Sequence, residues 1–131
     1  MTMGGYMDAY RVQRKRTRGW RKPDRAVSVA RPSRWGNPYR AGMTLRSKNM
    51  TAFIVSEAGL LEHFLDQDIG YQITAAEAVR LYRAWVVKKM ADDSPQRLYY
   101  NLDLLRGKPL MCWCEPGDPC HADVLVELAN G

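Results

Sequence analysis

No run in this sequence approaches the roughly 18 consecutive apolar residues of a membrane span, so no membrane partner is expected. The opening stretch, MTMGGYMDAY, lacks a basic segment leading into an apolar run, which argues against a secretion signal. There are only three cysteines and two histidines. An odd, tightly spaced set of cysteines excludes a disulfide framework and points to a reducing, intracellular setting with free thiols or a metal. There is no P-loop, no G-x-G-x-x-G and no pair of catalytic carboxylates, so none of the common nucleotide or hydrolase signatures applies. Internal repeats and low-complexity tracts are also missing. The 131 residues suffice for one real core.

Negative charge is nearly missing from the first third. Residues 1–48 carry 13 Lys/Arg against Asp8 and Asp24, for +11, whereas residues 49–131 carry 7 against 12, for −5, and the two sum to the net +6. A basic segment on an otherwise acidic chain suits an anionic partner: a nucleotide or other phosphorylated small molecule, or DNA or RNA. A solvated basic face that only keeps the protein soluble is the plainer alternative.

Residues 1–9 read as a flexible leader, and residues 10–131 as a single α/β domain. YRVQRKR (10–16) suits a short exposed strand with Val12 inward. AVSVAR (26–31) suits a buried strand. MTAFIVSE (50–57) could be a strand, but the preferred reading makes residues 51–68 one helix with Phe53, Leu60, Leu61, Phe64 and Leu65 inward. TAAEAVRLYRAWVVKKMA opens with Thr74 and Glu77 in capping-box spacing, followed by an apolar stripe of Val79, Tyr82, Trp85, Val86 and Met90. SPQRLYYNLDLLRG predicts a helix with Ser94 as N-cap, Pro95 at the first position and Gly107 past the end. KPLMCWC (108–114) is a strand and CHADVLVELAN a last helix, with Asp118 and Pro119 at its start. Strands alternating with helices predict one layered domain, a short, mainly parallel sheet flanked by helices in a Rossmann-like manner.

The three cysteines and His121 fall within ten residues, 112–121. Alternation along a strand puts Cys112 and Cys114 on one face and Trp113 on the other. The chain then turns into a helix at Cys120, at the carboxyl end of a strand, where open α/β sheets bind ligands. Three readings stay open. Cys112, Cys114, Cys120 and His121 could ligate zinc, although C-x-C and adjacent Cys-His are awkward spacings for a tetrahedron, which disfavours it. Cys120 could be an activated thiol beside His121. Or the cysteines fill space as small apolar side chains.

The stretch RPSRWGNPYR joins Arg31, Arg34 and Arg40 to one tryptophan and one tyrosine. Guanidinium groups grip phosphate oxygens and rings stack on bases. Trp35 could equally plug the core under its loop. Gly36 is expected to take a backbone geometry closed to other residues.

RKRTRGWRKPDRAVSVARPSRWGNPYR, AEAVRLYRAWV and LLRGKPLMCWCEPGDPCHADVLVELAN together resemble an uncharacterised family of small bacteriophage and bacterial proteins, a domain of unknown function. Its marks are an R-P-S/T-x-W-G-N-P loop and a closing C-W-C…C-H-A-D-x-L. The resemblance covers residues 11–42 and 74–130, makes 43–73 an insertion, and implies a phage-associated protein in the cytoplasm of an infected cell. A second, looser likeness, to an uncharacterised α/β family ending C-x-E…C-H-R, bears on the fold alone.

The expectation is therefore a protein that binds a nucleotide or nucleotide-like phosphoester. Arg31 and Arg34 would hold phosphate, the amides of Cys120, His121 and Ala122 would take a second anionic group, Trp35 would stack and Asn37 would bind base or ribose. His121 and Asp123 are the candidate catalytic pair, should the protein be a nucleotide- or nucleobase-modifying enzyme. The other alternative is a nucleic-acid-binding accessory protein using Arg14, Lys15, Arg16 and Arg18 within a wider basic stripe that adds Arg11, Arg21 and Lys22.

Overall fold

A computed structural model describes residues 8–46, 50–65 and 70–131. Most of the expected leader, and parts of the expected insertion and of the helix over 51–68, lie outside the described residues. The protein is a small α/β fold, with a three-stranded parallel sheet and four helices among the described residues. Its residues gather into two compact units.

The first unit holds the described residues through Gly36 together with Asn101–Gly131. Its strands are β1 (Tyr10–Gln13), β2 (Val27–Ser28) and β3 (Pro109–Cys112). They lie in the order β1-β3-β2, and both outer strands run parallel to β3. All four residues of β3 are buried, as its unbroken apolar sequence requires of a central parallel strand. Helix α4 (His121–Asn130) buries Ala122, Val124, Leu125 and Ala129 and packs on β1 and β3. Just before β1, Ala9 is buried, and its backbone N–H and C=O both bond the Asn130 side-chain amide, at 2.8 and 2.9 Å. The predicted helix over 94–106 is absent. Residues 95–100 form turns, and only Leu102–Leu104 makes a single 3-10 turn, because the Asn101 side chain accepts the Asp103 N–H and restarts the chain there.

The second unit is Asn37–Tyr100. The single helix predicted over 51–68 is instead two short ones, α1 (Ala52–Glu57) and α2 (Leu61–Leu65). Gly59, at φ +78, breaks them apart. The break changes which side chains face inward. Ile54, Val55, Ala58 and Leu60 are buried, whereas Phe53 and Leu65 are 54% and 65% exposed. Helix α3 (Ala75–Met90) forms as its sequence predicts, with both hydrogen bonds of the Thr74–Glu77 capping box. It packs on α1, and Arg80 Nε donates to the Ala58 carbonyl at the end of α1, at 3.0 Å. Among the described residues no helix is long and apolar enough to cross a membrane.

Candidate functional site

Strand pairing stops at Cys112, and the chain bends at Trp113 and Cys114. A tight turn follows, in which the Asp118 N–H donates to the Glu115 carbonyl at 3.0 Å and Gly117 sits at φ +96. Cys120, in extended conformation (φ −146, ψ 137), is the N-cap of α4, and its Sγ accepts the Ala122 N–H at 3.4 Å. Asp118 and Pro119 therefore precede the helix rather than start it, and the Ala122 amide is already capped by sulfur. The bend and the extended cap bring the sulfurs of Cys112, Cys114 and Cys120 within 4.8 Å of one another. The C-x-C spacing does not keep these thiols apart.

Arg11 closes one side of the cluster. Its Nη1 donates to Asp123 Oδ2 at 2.8 Å and to the Asp118 carbonyl at 3.1 Å, and its Nη2 donates to the Glu115 carbonyl at 2.6 Å. Burial works against the guanidinium charge, but Cys120, Asp123 and Cys112 around it hold its pKa above the ordinary arginine value. The hydrogen bond from the Cys120 thiol, helped against burial by the Cys114 backbone N–H and by Arg11, pulls the Cys112 thiol down to about 6. The same hydrogen bond, with burial, pushes Cys120 up, so the pair divides into one thiolate-prone and one protonated sulfur.

His121 sits at the rim. Its Nε2 lies 2.5 Å from the Val29 carbonyl oxygen, and its Nδ1 lies 4.0 Å from Cys120 Sγ. A carbonyl only accepts, so Nε2 carries the proton. Burial lowers the His121 pKa despite that bond, and the charges of Arg31 and Arg11 lower it further, so the ring is neutral with its Nδ1 lone pair toward the sulfur. Asp123, expected as its catalytic partner, is instead ion-paired with Arg11; its charge still reaches the imidazole.

The loop after β2 is built of successive turns. The Ser33 N–H donates to the Ala30 carbonyl, the Gly36 N–H to the Ser33 carbonyl and the Trp35 N–H to Ser33 Oγ. Arg31 and Arg34 are exposed on it. Trp35 is 2% exposed, so of its two readings the burial fits the core plug and leaves the ring no open face for a base. Gly36 does not have the positive φ that its sequence suggested. A Cβ there would meet Arg31 Cγ at 2.6 Å and Arg31 Cα at 3.0 Å, so close approach is what demands glycine. Asn37 belongs to the second unit, where its Nδ2 donates to the Ala78 carbonyl and its Oδ1 accepts the Tyr39 N–H, at 3.3 and 2.8 Å.

Sequence reasoning missed two features. It placed Arg11 in the wider basic stripe for nucleic acid, but the side chain turns inward and is 14% exposed. It assigned Arg14 and Arg16 to nucleic acid without seeing that their guanidinium carbons lie 5.1 and 4.6 Å from the ring centroid of Trp113, an exposed residue. The register of β1 on β3 sets this up: Gln13 faces Cys112, so Arg14 comes beside Trp113. Lys15 and Arg18, the rest of that quartet, are exposed.

No curated protein and no solved structure matches the chain. A family model does, over residues 12–131, and it spans the loop, the basic segment and the three-thiol ending alike. The chain belongs to the family described as Domain of unknown function (DUF4326).

Proposed function

We propose that the protein binds a phosphate-bearing small molecule of the nucleotide class at the carboxyl edge of its parallel sheet. One observation carries this reading: a loop of successive hydrogen-bonded turns, anchored by buried Trp35, presents two exposed arginines just past β2. The charge of Arg31 reaches His121, at the start of the helix that follows β3. Parallel strands send both loops out at the same edge, where α/β sheets bind ligands. Arginine forks suit phosphate, and a pre-formed loop avoids the ordering cost of binding. The neutral His121 ring and the sulfur-capped α4 start make the arginines, rather than the helix amides, the main anion contacts.

Calorimetry with inorganic phosphate and with nucleoside mono-, di- and triphosphates tests the reading. Binding should weaken on Arg34→Ala by about 1.5–3 kcal/mol, the range for a hydrogen bond to a charged group. No binding by any member of the panel at millimolar concentration, or wild-type affinity in both the Arg31→Ala and Arg34→Ala variants, would overturn it.

A second reading has its own support. The Arg14–Trp113–Arg16 stack, on a segment rich in lysine and arginine, suits the backbone and bases of single-stranded nucleic acid.

A further inference from the structure

We propose that Cys112, Cys114 and Cys120 bind a zinc ion as thiolates and that His121 Nδ1 completes a closed, four-coordinate site. The inference stands without the phosphoester reading, because it uses the interior of the turn between β3 and α4 rather than the arginine loop.

The geometry comes first. A tetrahedral zinc thiolate site has Zn–S near 2.3 Å, which sets sulfurs about 3.8 Å apart. The three sulfurs here already lie within 4.8 Å of one another, so closing on an ion requires shifts on the order of 1 Å or less. A disulfide, by contrast, needs sulfurs at about 2.05 Å and uses only two of the three. The chain converges for local reasons: β3 ends at Cys112, the bend at Trp113 and Cys114 turns the second sulfur back, and the extended Cys120 cap turns the third inward. The turn carbonyls of Glu115 and Asp118 are pinned from outside by Arg11, so the loop carrying these ligands is pre-formed.

His121 is oriented as the fourth ligand, but its ring nitrogens lie outside the set within 4.8 Å that the three sulfurs form, so the ring must move toward the ion on binding. Metal-bound histidines commonly donate the other ring N–H to a carbonyl or carboxylate, which fixes the tautomer and aims the lone pair. Here Nε2–H is held by the Val29 carbonyl, and Nδ1 lies 4.0 Å from Cys120 Sγ. A sulfur and a nitrogen on one tetrahedral zinc would be about 3.5 Å apart.

Charge and ligand type agree. Three thiolates, a neutral imidazole and a divalent cation sum to one negative charge, and the guanidinium of Arg11 beside the sulfurs offsets it. Sulfur-rich tetrahedral sites select zinc over magnesium or calcium, and four protein ligands leave no open position, so the role is structural. On binding, each cysteine that is still a thiol gives its proton to solvent, and no electrons move.

The test uses the full chain expressed in zinc-supplemented medium. Elemental analysis should find one zinc per chain after dialysis. Replacing it with cobalt(II) should give a strong sulfur-to-metal charge-transfer band and the visible bands of tetrahedral cobalt. Cys114→Ser, at the least buried of the three cysteines, should weaken cobalt binding at least tenfold, and His121→Gln should shift the visible bands while the charge-transfer band persists. The wild-type cobalt spectrum reports thiolate ligation by itself, so the proposal is decided even where a variant fails to fold. Three observations would each overturn it: metal-free protein whose three thiols titrate freely with no cobalt band, a disulfide among these cysteines in the purified chain, or zinc whose cobalt spectrum is unchanged in folded Cys114→Ser protein.

Discussion

Arg11 Nη1 lies 2.8 Å from Asp123 Oδ2, tying the first strand to the last helix across 112 residues of sequence. The two ends of this ion pair differ in exposure, Arg11 at 14% and Asp123 at 57%, and the same guanidinium also holds two turn carbonyls. Arg11→Ala should lower the unfolding free energy by about 1.5–3 kcal/mol, because it strands acceptors around a charged donor. Asp123→Asn should cost less than about 1 kcal/mol, as exposed ion pairs do. Urea titrations of both variants check this. Equal losses would show that the ion pair alone matters and that the carbonyl contacts contribute nothing.

Gly36→Ala should destabilise the protein by about 1–3 kcal/mol, the usual cost of forcing extra volume into a packed position. The new Cβ would press on the backbone of Arg31 as well as on its side chain. Gly42→Ala makes a useful contrast: it has open space but φ +88, so its cost is backbone strain. Asn tolerates that backbone region, so Gly42→Asn should recover stability relative to Gly42→Ala. Gly36→Asn should recover none relative to Gly36→Ala. Thermal melts of the four variants separate the two mechanisms.

Replacing Arg14, Lys15, Arg16 and Arg18 together by Ser should reduce the log–log salt slope of single-stranded nucleic-acid binding by roughly 0.7 per lost phosphate contact. Trp113→Ala should weaken binding with little change in that slope, since it removes stacking and not charge. Fluorescence anisotropy across a salt series reads both effects. A wild-type protein that ignores nucleic acid at about 50 mM salt, where such contacts are strongest, ends this reading.

Glu77 gives a pH dependence of known sign. Burial pushes its carboxyl up, but the Thr74 backbone N–H, the Tyr71 hydroxyl and the Thr74 side chain outweigh that and hold its pKa below the ordinary 4.5. A depressed folded-state pKa contributes stability that is present above the unfolded value and lost as pH falls through the folded value. The stability gap between wild type and Glu77→Ala should therefore be full at neutral pH and shrink as pH falls below about 4.5. Thermal melts between neutral and acidic pH test this, and a gap that is independent of pH would refute the assignment.

The most legible elements were those whose signals are local. The Thr74–Glu77 box, the apolar run of β3 and the turn into α4 at Cys120 each carry their instructions within a few residues, and β2 beside β3 in parallel followed from the alternation of strands and helices. The failures are also physical. Ser94-Pro95 and Gly107 mark helix ends, but the Asn101 side chain caps a new turn between them. Gly59 splits an amphipathic pattern that reads as continuous. In the candidate site, the sulfurs' convergence depends on a bend at Trp113 and Cys114 that propensity does not announce. The inward turn of Arg11 depends on acceptors 104 and 107 residues away, which no window of sequence can supply.

Strands β1 and β2 do not pair with each other; each pairs only with β3, which comes last in the chain. During synthesis both outer strands leave the ribosome long before their shared partner exists. The sheet cannot form until residue 112 has emerged, by which time the whole of Asn37–Tyr100 is available to fold. Assembly of the sheet is thus a late, long-range event whose speed is limited by closing large loops. Truncation between β2 and β3 leaves two strands without their partner, their edges exposed to aggregation.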